Sequence, residues 1–135
     1  MKSIISRVHL VLGGLTMLLI VLQFFLAGVG IFGAGDIETH RVVGYLITLL
    51  AAVLLLLALA GMLGRQRILF SALLLVLMIV QIALIESDEP WVMAFHPLNG
   101  LLILGAGAQM MRHGREAMRG GPLAESSAMR TSPGE

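Results

Sequence analysis

Residues 40–63 read HRVVGYLITLLAAVLLLLALAGML. Beyond His40 and Arg41 no residue in this stretch is charged, and only Tyr45 and Thr48 carry a polar side-chain group. A helix needs about 20 apolar residues to cross a bilayer. Backbone groups in hydrocarbon find no water to bond, so such a run must satisfy itself as a helix. Three further stretches of the same kind flank it: Val8–Phe32 upstream, and Ile68–Ile85 and Trp91–Met111 downstream, the last interrupted by His96, Pro97 and Asn99. The loops between them are short, which sets sequence neighbours antiparallel. The expected fold is all-α, an up-down four-helix bundle embedded in a membrane.

Composition excludes much else. The 135 residues are 58% hydrophobic and only 13% charged, with a mean hydropathy of +0.95. Soluble proteins carry about 25% charged residues, and a soluble fold of this size could not bury so much apolar surface. There is no cysteine. That removes disulfides, thiolate metal sites, iron–sulfur clusters and covalent c-type haem attachment. The net charge of +1 names no partner, and nothing in the chain points to nucleic acid. The first apolar run is too long for the core of a signal peptide, and no small-residue cleavage site follows it. It reads as a retained helix.

Basic residues set the expected orientation. Lys2 and Arg7 precede the first helix, Arg65 and Arg67 lie between the second and third, and Arg112, Arg115, Arg119 and Arg130 follow the fourth. Asp36, Glu38, Glu86, Asp88 and Glu89 mark the other two loops. The positive-inside rule places both termini in the cytoplasm, in a cell membrane, with Trp91 at the outer interface. Residues 1–115 form the transmembrane domain. Residues 116–135, rich in Gly, Ser and Pro, read as a disordered cytoplasmic tail. Pro97 leaves two readings of the last helix, a short one starting near His96 or a longer one starting near Trp91 and kinked. The kinked helix is expected, because the short one barely spans a bilayer.

Two histidines stand out. His40 is followed by Gly44 and His96 by Gly100, each at four residues' distance, and each pair opens an apolar run. Gln23 and Gln81 precede them in the outer halves of the first and third helices. This repeated order of Gln, loop, His and Gly points to a duplicated helix hairpin, and such repeats often bind ligands between their halves. Histidine inside a membrane is costly unless paired, ligated or hydrated. In a four-helix bundle the second and fourth helices are diagonal, so two inward imidazoles can share one iron. A residue at i+4 lies on the same face as the histidine, and glycine there clears the ring of a haem. Bis-imidazole haem b is therefore the expected cofactor, with His40 and His96 on the metal and Gly44 and Gly100 beside it. Arg41 suits a propionate or snorkels to the interface. Gln23 and Gln81 either bond the ligand or each other, or tie helices together. Glu38 and Glu86 read as solvated loop acids. An inner site between His9 and His113 is the weaker possibility. Gly13, Gly14, Gly28, Gly61, Gly105 and Gly107 read as points of close helix approach, and the methionines as packing filler.

The stretch Gln23–Gly44, with Glu38-Thr39-His40-Arg41, and the stretch Phe95-His96-Pro97-Leu98-Asn99-Gly100 resemble one four-helix half of haem A synthase and small stand-alone relatives of such halves. The resemblance covers roughly residues 8–112. It implies axial roles for His40 and His96 near the outer face. The synthase has eight helices in two fused halves, and its catalytic Glu stands three residues before its His. Here Glu38 stands two before and Asp36 four before His40, and the outer-loop cysteines of many synthases are absent. The resemblance therefore implies haem binding, with hydroxylation by a single chain not expected. An independent enzyme is not expected either. Electron transfer or haem carriage is, with quinol or an extracytoplasmic redox protein as partner, alone, as a homodimer or within a larger membrane complex. The alternatives are a cofactor-free accessory subunit of such a complex, and a zinc or copper site using His40, His96 and loop carboxylates.

Overall fold

The computed structural model describes residues 2–120. Four long helices carry the fold: α1 (Lys2–Ile31), α2 (Glu38–Ala60), α3 (Arg65–Ile85) and α5 (His96–Arg119), with the single turn α4 (Pro90–Met93) before the last. Each long helix is apolar and long enough to cross a membrane. α1 and α3 each pack against both α2 and α5, so α2 and α5 stand on a diagonal of the bundle.

The last apolar stretch starts near Trp91, as expected, and is interrupted just before Pro97. The turn α4 passes into α5 through Ala94 and Phe95, both of which keep right-handed helical backbone, and Pro90–Arg119 makes one membrane-length span. Pro97 lies in the first turn of α5, where its missing N–H costs least. From there α5 runs 24 residues, to Arg119. It thus continues through 116–119, four residues that composition assigned to the tail; residues 121–135 lie outside the described residues. Arg65 and Arg67, read as loop residues, belong to α3, and Arg67 is buried.

Burial repeats with a fixed register. In α1 the buried positions include His9, Gly13, Thr16 and Ile20; in α3 they are Arg67, Ser71, Leu74 and Met78, each 58 residues on. In α2 they are Ile47, Ala51, Leu54 and Ala58; in α5 they include Ile103, Gly107, Met110 and Gly114, each 56 residues on. Gln23 and Gln81 obey the first spacing, and His40/His96 and Gly44/Gly100 the second. The two hairpins α1–α2 and α3–α5 therefore present equivalent faces to a shared core built around Ile20, Ile47, Leu54, Leu74, Met78, Ile103 and Met110.

The opposite ends of the bundle differ in chemistry. At one end Arg67 Nη1 donates to Ser6 Oγ (2.8 Å) and Nε to the Leu63 carbonyl (2.8 Å), joining the starts of α1 and α3 to the end of α2. Ser71 Oγ lies 3.2 Å from His9 Nε2 and donates to Met110 Sδ at 3.3 Å. His113 stacks on Phe70 and lies 3.2 Å from Glu116. His9 and His113 thus have separate partners, and the weaker inner-site idea gains no support.

Candidate functional site

His40 and His96 meet at the other end. Their ring centroids are 6.1 Å apart and their planes are inclined by 57°. Each imidazole is aimed by its own hairpin: His40 Nδ1 lies 3.2 Å from the Gln23 carbonyl, and His96 Nδ1 lies 3.3 Å from the Gln81 carbonyl. A carbonyl oxygen can only accept, so the proton of each neutral ring sits on Nδ1. The lone pair is then left on Nε2, the arrangement of a histidine prepared to ligate.

The glutamine side chains are spent between helices rather than on each other. Gln23 Nε2 donates to the His40 carbonyl at 2.9 Å, making the α1–α2 contact reciprocal. In the second hairpin Asn99 Nδ2 donates to Gln81 Oε1 (2.7 Å) and to the Leu77 carbonyl (2.9 Å). Sequence reading treated Asn99 only as an interruption of an apolar run; here it is buried and ties α5 to α3. The position 56 residues earlier is Val43, and Gln23 Oε1 is correspondingly buried without a partner. Asn99→Val should therefore cost about 1–3 kcal/mol, because it strands Gln81 Oε1. Val43→Asn should stabilise by up to about 1–2 kcal/mol, because it supplies the missing donor. Unfolding of the detergent-solubilised protein in an SDS titration measures both, and a destabilising Val43→Asn would contradict the equivalence of the hairpins.

A cavity of about 530 Å³ lies between the four long helices at this end. It is lined by all seven residues singled out in the sequence: His40, His96, Gly44, Gly100, Gln23, Gln81 and Arg41. Its size is within the about 300–1,000 Å³ of small-molecule and cofactor sites. The two glycines are not equal. A Cβ at Gly44 would stand 3.0 Å from Gln23 Nε2, whereas at Gly100 it would meet Phe24 at 3.5 Å and Gln81 Nε2 at 3.8 Å. Gly44→Ala asks the Gln23 amide to shift by a few tenths of an ångström, while Gly100→Ala makes ordinary contacts. Both gain helix propensity, so we expect Gly44→Ala to have the lower Tm of the two, an order that thermal unfolding in detergent resolves.

Charged side chains enter the cavity from one side. Glu38, Arg41 and Tyr45 of α2 and Glu86 at the end of α3 line it, and the lining residues of α1 and α5 include no carboxylate or guanidinium. Arg41 Nη2 lies 3.2 Å from Glu38 Oε2. Asp36 Oδ1 accepts the Glu38 N–H at 2.8 Å and satisfies one of the free donors that open α2. Glu38, read from the sequence as a solvated loop acid, is thus the first residue of a helix and part of the cavity rim. Among the described residues no group of three or more His, Cys, Asp or Glu side chains converges on a point. The arrangement is two imidazoles in an apolar chamber, which suits a metal that brings its own equatorial ligands.

No curated protein and no solved structure matches the chain. Residues 23–88 match a family model described as a family of unknown function (DUF6220), a span that holds Gln23, His40, Gly44 and Gln81 and ends before His96.

Proposed function

We propose that this is a small integral-membrane haem-binding protein that holds haem b between His40 and His96, near the outer face of a cell membrane, with both termini in the cytoplasm. The separation of the imidazoles carries the reading. Two imidazoles that shared one metal through bonds of about 2 Å, with ring radii of roughly 1 Å, would have centroids about 6 Å apart. The observed 6.1 Å matches, with each Nε2 lone pair left free by its Nδ1 bond. The cavity that both rings line is largely apolar and of cofactor size. The resemblance to half of haem A synthase and the matched burial of the two hairpins favour a duplicated hairpin with its site between the halves.

Orientation rests on charge. Ser6, Leu63, Arg67 and Met118 meet at one end of the bundle, which gathers Arg7, Arg65, Arg112 and Arg115. The acidic loops lie at the imidazole end, so the positive-inside rule points that end outward. A bound haem would supply one-electron redox chemistry, and its retention by both His40 and His96 would favour electron transfer or haem carriage over oxygen chemistry. The chain's own part is to aim two imidazoles through the Gln23 and Gln81 carbonyls and to offer Arg41 at the rim.

The deciding experiment is the absorption spectrum of the full chain purified after expression with ample haem. We expect a red protein with a Soret band and a narrow α-band on reduction. A colourless protein that also fails to take up added haem would overturn the reading.

A further inference from the structure

The cradle is two-fold in its fixtures but not at its rim. In the hairpin register Glu38, Arg41 and Tyr45 correspond to Ala94, Pro97 and Leu101, and Glu86 corresponds to Gly28. A flat ligand whose polar groups lie along one edge would fit a symmetric chamber equally well either way round. Here, among the described residues, only the α2 side offers a cation. Arg41 and Glu38 have side chains 64% and 54% exposed, and their contact runs through a single guanidinium nitrogen at 3.2 Å. An exposed pair of this kind contributes little, so Glu38 yields the guanidinium readily. A ligand carboxylate can instead take two parallel N–H bonds from the guanidinium fork.

Resting on the haem-binding reading above, we propose that Arg41 is the carboxylate-selecting clamp of this cavity, that it fixes which edge of the ligand faces α2, and that Glu38 competes with the ligand for it. The exchange balances charge: one carboxylate leaves the guanidinium as another arrives, and the displaced Glu38 returns to water. The clamp is therefore reversible by construction, which suits a ligand that is passed on.

The test titrates the full chain in detergent with haem and with haem dimethyl ester, which has the same ring and iron but no free carboxylate, following the Soret band. Wild type should bind the free acid about tenfold more tightly than the ester. Arg41→Leu should bring that ratio to about one or two while still giving a bis-imidazole spectrum with both probes, since the iron ligands are untouched. Arg41→Lys should keep part of the preference, having charge without the fork. Glu38→Gln should raise the ratio about two- to fivefold by removing the competitor. An unchanged ratio in Arg41→Leu overturns the clamp, and an unchanged or lowered ratio in Glu38→Gln overturns the competition. Wild type that binds neither probe overturns the haem-binding reading itself. Wild type that binds both equally leaves that reading standing and removes only the clamp.

Discussion

His40→Ala and His96→Ala, made singly, should each convert a low-spin six-coordinate haem spectrum into a broad, high-spin one and weaken haem binding by more than about 100-fold. The scale follows from ligation, where loss of even an outer partner of a metal-bound histidine costs about 10–100-fold. The two substitutions should act alike, because the rings face each other across 6.1 Å and are held by equivalent carbonyls. Free imidazole should restore the low-spin spectrum in either variant by filling the space that alanine leaves. Tyr45→Phe should leave the spectrum in place, since Tyr45 lines the cavity without a hydrogen bond to either histidine. Dependence on one histidine alone would break the case for a shared iron and favour a single imidazole with another partner.

The second large effect concerns the core. Leu54 is fully buried in α2, and Met110, 56 residues on, is 1% exposed in α5. Cutting either to alanine opens a cavity that the surrounding helices fill only in part. Substitutions of this kind cost about 2–5 kcal/mol in water-soluble cores. Lipid is as apolar as the core, so the transfer part shrinks and the lost packing dominates. We expect about 2–3 kcal/mol for each variant in an SDS unfolding titration, with the two agreeing within about 1 kcal/mol. Val76→Ala, at a position 55% exposed on α3, should stay within about 0.5 kcal/mol. If Leu54→Ala and Met110→Ala were no costlier than Val76→Ala, the packing described here would not be the one that holds the protein together.

Much of this was legible in the amino-acid order. Four apolar runs are a matter of counting, and the residues picked out by the spacing from His40 to Gly44 and from His96 to Gly100 line one cavity. Direction was harder to read. In helices apolar on nearly every face, hydropathy does not say which side turns inward, so the buried rows from Ile47 to Ala58 and from Ile103 to Gly114 could not be picked out beforehand. Pro97 looks the same in sequence whether it kinks a helix or opens one; here it does both, opening α5 within one span that begins at Pro90 and turns at Ala94 and Phe95. Asn99 read as a flaw in an apolar run, although its amide is what steadies Gln81. The available signal was the amide itself in an otherwise apolar run, since a buried amide demands a partner. Arg67 reads as a loop residue because it stands with Arg65 between two apolar runs. The structure instead engages it with the Ser6 hydroxyl and the open carbonyl of Leu63, near the end of α2.

Each imidazole is aimed entirely from within its own half of the chain. Gln23 sets His40, and Gln81 with Asn99 sets the surroundings of His96, with none of these bonds crossing from one half to the other. Anything gripped by both rings is accordingly a rivet between two prefabricated parts. Its occupancy would register as a tighter seam between the halves, growing with the logarithm of its free concentration. A chain severed in the turn between Gly61 and Gly64 should then reunite more firmly when the rivet is present than when it is withheld.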